Sequence, residues 1–564
     1  MDVLLREAEH LFPGGLALAA MKKESTAQPI LRPPLPKICI LALDQQTGPA
    51  ATPIVKSGDH VLKGQLIAKK NHPLSANIHA PTSGIIQSIG FYPIAHASNQ
   101  LGPCIHLIPD GEDQWVERMV TSRDWLSMSQ AELLKLITDG GIVGLGGAVF
   151  PSDIKLQNQN ADHAESFDPI KGLIINGAEC EPYISCDDML MREHAYELLY
   201  GIQILMQLTR AERCMFGIED NKPEAIDAIR QALSDIGDYR IELYTLKSIY
   251  PQGGEKQLFQ SLIGEEIPTG KYPKDLGYLM FNVGTAKAIH DVIVDDKPLL
   301  SRIVTVAGHG VKQARNVEAL IGTPVYELLE FCGGYRKQEN ELSDVSVTHR
   351  TSKHRLIMGG PLMGVALHTD SVPVTKAMNC LLVANEEDKV STKTAMPCIR
   401  CGECAQVCPA SLLPQQMYWY TKSKDYPEVE RFHIFDCIEC GACDYVCPSH
   451  IPLVNYFKHA KGEIREQRIK NEFSDQSRDR FEQRERRLDR IAEERKAKLA
   501  ARKLKLNNKP AQSDKTLSAV NKEESSTNTK KDAIQAIMQR VNAKKNSNNS
   551  ATSKRSSENN SENN

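Results

Sequence analysis

The alternation of apolar and polar positions changes character several times along this chain, and each change predicts a different kind of element. Between residues 171 and 290, short apolar runs alternate with longer runs in which apolar side chains recur every three or four positions. KGLIIN reads as a buried strand, and MLMREHAYELLYGIQILMQL, opened by Asp187 as its N-cap, reads as one amphipathic helix. RCMFGIED, KPEAIDAIRQAL and YRIELYTLK then give a strand, a helix and a strand. That order predicts a parallel sheet with helices on its faces, whose ligands lie beyond the carboxyl ends of the strands.

Upstream, GDHVLKGQLIAKKN and ANIHAPTSGIIQSIG are short β-rich runs broken by glycine and proline turns, the pattern of a small sandwich of hairpins. It is similar to biotinyl and lipoyl carrier domains, which carry a lysine at a hairpin tip. The equivalent here is Pro73-Leu74-Ser75, so no lipoyl or biotinyl group is expected, and docking or support is the expected role. Downstream, RIVTVAGHGV, IGTPVYELLEFCGG and RLIMGGPLMG give strands, a helix and glycine turns. His309 and His354 in this region receive no assigned role. From about Lys461 the chain becomes dense in Arg, Lys and Glu at helical spacing, which predicts a solvated helix by default, with a basic balance that would favour an anionic membrane surface. From about Asn507 the Ser, Asn and Lys composition predicts disorder.

Length and charge narrow the function. A chain of 564 residues exceeds one hydrophobic core. Its formal net charge of −3 argues against a dedicated nucleic-acid binder. No stretch is apolar enough to span a bilayer, and the N-terminal apolar run is too short and too interrupted for a secretory signal, so a cytoplasmic location is expected.

Of 15 cysteines, Cys39, Cys104, Cys180, Cys186, Cys214, Cys332 and Cys380 are scattered, as small buried apolar residues would be. The other eight form PCIRCGECAQVCP and DCIECGACDYVCP, two copies of Cys-x2-Cys-x2-Cys-x3-Cys-Pro. Three cysteines at this spacing wrap one cubane cluster, and the fourth reaches the other cube. The expected ligand sets are Cys398, Cys401, Cys404 and Cys447 for one [4Fe–4S] cluster and Cys408, Cys437, Cys440 and Cys443 for a second. Gly402 and Gly441 let the backbone pass near inorganic sulfide. Paired zinc sites also use Cys-x2-Cys, but they do not call for the third cysteine and the repeated Cys-Pro. The duplicated motif resembles bacterial two-cluster ferredoxins.

GGIVGLGGAVFPSDIKL is glycine-rich enough for backbone N–H groups to approach a phosphate. Taken alone it is a poor dinucleotide fingerprint, because Val149 stands at the third glycine position. In order, GLGGAVFPSDIK, INGAECEP, YPQGGEKQLFQSLIGEEIP and FNVGT resemble the flavin- and NADH-binding motifs of the 51-kDa-type subunit of respiratory complex I. Roughly residues 10–460 as a whole are similar to the family of C subunits of the Rnf, also called Rsx, complexes, membrane ion pumps coupled to electron transfer.

The resemblance implies that Gly144, Gly146 and Gly147 line FMN, that Lys155 reaches its phosphate, and that Asn176 and Asn282 meet its polar edges. It places Glu179 beside the flavin, and Glu181 and Glu255 where the complex I family contacts NADH. Ala178, Gly254 and Gly284 replace acidic residues of those motifs. Without the resemblance, Lys155, Glu181 and Glu255 read equally as solvated surface side chains.

The implied architecture is multidomain α/β and α+β. It comprises an N-terminal segment (1–29), a barrel-sandwich hybrid (30–115), an FMN/NADH-binding Rossmann-like domain (125–295), a soluble-ligand-binding β-grasp domain (300–366) and a two-cluster ferredoxin-like domain (375–460). A charged helical segment (461–506) and a disordered tail (507–564) follow. The resemblance implies a peripheral subunit on the cytoplasmic side of the inner membrane, partnered by Rnf/Rsx-type membrane and iron–sulfur subunits, ferredoxin and NAD(H). Two other readings stay open: a soluble flavin-dependent diaphorase subunit, and a non-catalytic electron wire or docking subunit.

Overall fold

The computed structural model describes residues 5–96, 98, 100–117, 123–157, 170–336, 355–385, 388 and 394–507. Residues up to Lys470 form one compact unit, and the chain from Asn471 forms a second. The sequence expectation for residues 508–564 lies outside the described residues.

The first described strand is β1 (Leu5–Glu7). The barrel-sandwich hybrid follows as β2 (Cys39–Ala42), β3 (Thr52–Pro53), β4 (His60–Val61), β5 (Leu66–Lys69), β6 (Ile78–His79), β7 (Gly84–Pro93) and β8 (Leu101–Pro109). Two sheets, β2-β8-β7-β4 and β3-β5-β6, close over Leu41, Ile67, Ile86, Ile105 and Leu107, all fully buried. The tip at Pro73-Leu74-Ser75 is packed down: Gly48 N donates to the Leu74 carbonyl at 3.1 Å, and Ser75 is buried.

The central domain opens with α1 (Gln130–Asp139), started by a capping box between Ser129 and Glu132, and α2 (Ser152–Gln157). Then come β9 (Gly172–Gly177), α3 (Cys186–Glu193), α4 (Ala195–Thr209), β10 (Cys214–Glu219), α5 (Pro223–Ile236), β11 (Ile241–Leu246), α6 (Glu255–Ile263), β12 (Tyr278–Asn282) and α7 (Val283–Ile293). The sheet order is β1-β11-β10-β9-β12 and every pair is parallel, as the alternating pattern predicts. Proline at the start of α5 and Gly237 at φ 74° after it set that helix's two ends.

Three details depart from expectation. The single helix expected after residue 187 is two, broken at His194: both pack on α5 and α7, and α3 also meets β13 (Ser301–Ala307). Asp187 does not cap α3, since it lies inside the helix and accepts from Asn282 Nδ2 at 2.6 Å instead. And β1, from the N-terminal segment to which the sequence pattern assigns no element, forms the sheet's outer edge beside β11.

The β-grasp domain adds β14 (Arg315–Leu320), α8 (Val325–Phe331), β15 (Arg355–Met358), β16 (Val365–Leu367) and β17 (Cys380–Ala384) to β13. Its sheet order is β14-β13-β17-β15-β16. Strand β17 lies in the stretch expected to be ferredoxin-like, yet it is the middle strand here, parallel to β13 and antiparallel to β15. His309 turns its Nδ1 to Asp388 at 2.6 Å, and His354 lies outside the described residues.

The cysteine-rich domain contains α9 (Glu403–Gln406), α10 (Pro414–Ser423), α11 (Tyr426–Arg431) and α12 (Ala442–Tyr445) around Met417, Val429, Ile434 and Phe457. Helix α13 (Leu453–Asn507) begins within this domain, earlier than the charge run alone indicates. Its first turns bury Leu453, Phe457 and Ile464.

Candidate functional site

The strand order reverses direction between β9 and β12, and Asn176 and Asn282 are register partners at that switch point. This is where an open parallel sheet leaves a crevice for ligands. Asn282 caps α7, its Oδ1 accepting from Gly284 N at 2.9 Å, while Asn176 Nδ2 donates to the Gly253 carbonyl at 2.9 Å. The two asparagines therefore shape the crevice floor through the backbone.

The glycine loop closes over the same edge. Gly144 N donates to the Phe150 carbonyl at 2.8 Å, Leu145 N donates to Thr285 Oγ1 at 2.8 Å, and Arg302 Nη2 donates to the Leu145 carbonyl at 2.8 Å. A Cβ on Gly146 would sit 3.4 Å from Asn282, and one on Gly147, at φ 104°, would meet nothing within 4 Å. Val149, the residue that spoils the fingerprint, takes φ 44°, the left-handed conformation that a glycine adopts without cost. The loop thus has a glycine-like backbone at a position where its side chain denies it.

Lys155 on α2 points across the crevice. Its Nζ lies 3.4 Å from Glu255 Oε1 and 5.2 Å from the Phe281 ring centre. Glu255 is the first residue of α6, and it is half-exposed. The other two carboxylates are held by backbone N–H groups of neighbouring elements. Glu179 accepts from the backbone N–H of Asp187 at 2.9 Å and of Asp188 at 3.4 Å, capping α3 from a distance where Ser185 supplies no side-chain cap. Burial raises its carboxyl, opposed by Lys22, whose Nζ is 3.8 Å away and donates to the Glu179 carbonyl. Glu181 accepts from Leu362 N at 3.1 Å and Met363 N at 2.9 Å, in the turn after β15. Burial pushes it up to about 7 against those two hydrogen bonds. The structure therefore brings together Gly144, Gly146, Gly147, Lys155, Asn176, Glu255 and Asn282, and directs Glu179 and Glu181 to neighbouring elements.

Two small cavities lie in the cysteine-rich domain. One is lined by Cys408, Cys437, Cys440 and Cys443, with Met417 and Phe457 as its apolar wall. The other is lined by Cys398, Cys401, Cys404 and Cys447, beside Tyr418 and Leu453. Each set takes three cysteines from one copy of the repeat and the last from the other. Gly402 and Gly441 begin α9 and α12 with φ of 86° and 78°. At Gly441 a Cβ would also fall 2.7 Å from the Leu362 carbonyl, so packing as well as backbone conformation requires glycine there.

The two cavities differ in surroundings. Cys440 is buried against Tyr250, Leu16, Cys180 and Leu362, on the flavin-domain side. Cys401 is exposed, next to Met396 and Ile399, which are 62% and 68% exposed. A strap from the N-terminal segment ties the inner cavity to the sheet domain. Gly15 N donates to the Val407 carbonyl at 3.0 Å, Leu16 and Tyr250 exchange backbone hydrogen bonds at 2.8 Å, and Tyr183 N donates to the Ala20 carbonyl at 2.9 Å. A Cβ on Gly14 would lie 2.7 Å from the Cys408 carbonyl. Lys256 with Asp436 at 3.2 Å, and Thr269 donating to Asp436 at 2.7 Å, add a second tie.

Sequence reasoning missed this strap, Arg302, Thr285 and Lys22. Only the Phe-Pro-Gly-Gly run at 12–15, two glycines after a proline where close backbone approach is cheap, marks it in the sequence.

The residues fit the cofactors implied. The open space above Gly147 suits a flat ring with a phosphate tail toward Lys155, and four thiols around each cavity are the donor set of an iron–sulfur cube.

Comparisons with known proteins follow the same division. Residues 10–112 match the RnfC barrel sandwich hybrid domain, residues 137–291 the Nuo51 FMN-binding domain, residues 303–366 the SLBB domain and residues 397–451 the 4Fe-4S dicluster domain. The C subunit of the ion-translocating oxidoreductase complex of Pseudomonas aeruginosa is 48% identical over 490 residues, 87% of this chain and 60% of that protein. The proteins of the same name from Haemophilus influenzae strains Rd and PittEE are each 42% identical over 480 residues, 85% of this chain and 56% and 70% of theirs. The chain thus spans 60% and 56% of the length of the first two of these relatives. Among solved structures, an NAD+-reducing [NiFe]-hydrogenase in the air-oxidized state aligns with a TM-score of 0.40 and 15% identity, covering 58% of this chain and 63% of that one. Identity sustained across all four domains decides the matter: the chain belongs to the family of C subunits of ion-translocating oxidoreductase complexes.

Proposed function

We propose that this chain is a peripheral electron-transfer subunit of an ion-translocating oxidoreductase complex, with NAD(H) at one end of its path and an exposed iron–sulfur cluster at the other. The observation that carries this reading is the apposition of the inner cysteine cavity to the flavin crevice through Tyr250, Cys180 and the Gly14–Leu16 strap.

FMN, when bound, exchanges hydride with a nicotinamide and single electrons with iron–sulfur clusters, which is the conversion that such a path needs. The residues supply position and charge. Gly144, Gly146 and Gly147 give the ring a side-chain-free bed, Asn176 and Asn282 fix the strand ends beneath it, and Lys155 holds the phosphate. Glu255, half-exposed opposite Lys155, is the carboxylate placed to meet a nicotinamide nucleotide entering from solvent. Glu181 and Glu179 act from behind, bracing the β-grasp turn and the start of α3. Cys408, Cys437, Cys440 and Cys443 hold the inner of two [4Fe–4S] clusters, and Cys398, Cys401, Cys404 and Cys447 hold the outer.

The exposed collar of Met396, Ile399 and Cys401 is the exit toward a neighbouring protein of the complex, with ferredoxin as the remote redox partner. No described helix is long and apolar enough to cross a membrane. In this reading the spanning segments belong to other members of the complex, with this chain on the cytoplasmic side of the inner membrane.

Anaerobic purification tests the reading. FMN, about eight irons per chain and NADH-dependent dye reduction are the expected result. Iron with no flavin and no dye reduction leaves a docking subunit and overturns it.

A further inference from the structure

The helix that runs on past Asn471 carries a pattern that a merely solvated helix does not require. At about 100° per residue, Phe473, Phe481, Leu488, Ile491 and Leu499 fall within an arc of roughly 80° on α13. Four of them are highly exposed, Phe473 71%, Phe481 59%, Leu488 54% and Leu499 60%, and Ile491 is partly so. Arg480, Arg484, Arg487, Arg495, Lys498 and Arg502 lie on the same side, and together the two sets occupy an arc of roughly 120°. Every aspartate and glutamate between Phe473 and Leu504, from Asp475 to Glu494, lies outside that arc.

The two sides also differ in ion pairing. On the acidic side Arg478 pairs with Asp475 at 2.8 Å and Arg486 with Glu482 at 3.4 Å, the short-range pairs that stabilise an isolated helix. Among the described residues, none of the six cations on the other side is in an ion pair. Mixed charge spread evenly around the helix would have given pairs on both sides.

From this we infer that residues 473–502 of α13 form a docking face for an anionic lipid surface. Charge complementarity and the interleaving of the two residue types single out that occupant. Phenylalanine and leucine sink into the boundary between head groups and acyl chains, while the arginine stems lie along the same boundary and their guanidinium groups meet lipid phosphates. A second helix is a poor occupant, because Arg484 and Arg495 interrupt the apolar seam and would be buried in it. A nucleic-acid phosphate backbone would use the arginines and leave the five apolar side chains in water. The inference goes beyond the redox reading and does not depend on it.

The test is flotation of the full, cofactor-loaded chain with vesicles of phosphatidylcholine alone, or with phosphatidylglycerol added, with single-stranded RNA as competitor. Binding to the phosphatidylglycerol vesicles, falling with salt and absent on neutral vesicles, is expected. R484E together with R487E, and separately L488S together with I491S, should each weaken it by about tenfold or more, with iron content unchanged. Equal binding to both vesicle types, no binding, competition by RNA at comparable phosphate, or indifference to the leucine–isoleucine variant would each overturn the inference.

Discussion

The hydroxyl of Tyr250 donates a hydrogen bond to the backbone carbonyl of Cys440, joining the loop before α6 to the inner cysteine loop. Burial pushes the Tyr250 hydroxyl far up from its usual range, so it stays a donor at any working pH. Tyr250→Phe leaves the buried Cys440 carbonyl without its partner, a loss of about 1–3 kcal/mol. We expect iron to leave the inner site faster by about tenfold or more, with the outer site and FMN unchanged. Iron release followed by chelator absorbance, with cluster identity followed by EPR, checks this.

The burial difference between the cavities predicts an order of electron flow. Cys443→Ser should abolish the inner cluster and with it reduction of the outer one by NADH. Cys401→Ser, at the exposed rim, should remove the outer cluster while NADH still reduces the inner. Identical spectra from the two variants would contradict that order.

Lys155 and Glu255 face each other at 3.4 Å, but both are partly exposed, so their pairing itself is worth little. Lys155→Ala should therefore act through the phosphate, lowering FMN affinity by about tenfold or more, with iron content intact. Glu255→Gln should keep FMN and raise KM for NADH. Fluorescence of released flavin and steady-state kinetics separate the two.

Glu181 gives a pH signature. Its carboxyl is raised from 4.5 to about 7 by burial, so between those values the folded chain holds a proton that the unfolded chain has lost. Stability consequently falls as pH rises through that window. Glu181→Gln should flatten part of the fall, as thermal melts at pH 5 and pH 8 would show.

Lys376 acts in the opposite sense. Its buried ammonium donates to the carbonyls of Asn77 and Gly141, both at 2.8 Å, joining the barrel-sandwich domain to the flavin loop with no carboxylate partner among the described residues. Burial lowers it from 10.5 to about 7, so stability rises with pH between those values, where only the unfolded chain is protonated. Lys376→Met should remove that rise, and melts between pH 7 and pH 10 measure it.

What was legible in the sequence was local. Eight cysteines at fixed spacing foretell the two four-cysteine cavities, because each loop's geometry is contained in a dozen residues. The βαβ alternation foretells the parallel sheet, since strand and helix periods differ. The rest depends on single residues meeting across long separations. Nothing near Glu179 says that its carboxylate caps α3 or takes Lys22 as companion. Strand β17, too, reads as an ordinary apolar run until β13 and β15 are found on either side of it. Arg302 and Thr285 fix the glycine loop through one hydrogen bond each, and one bond leaves no periodic trace.

The strap has a consequence for assembly. Gly14 and Gly15 leave the ribosome almost four hundred positions before Val407 and Cys408, the backbone they fit against. A latch closed across that separation is a long-range contact, so it can join the cysteine-rich domain to the sheet domain only when both have taken shape.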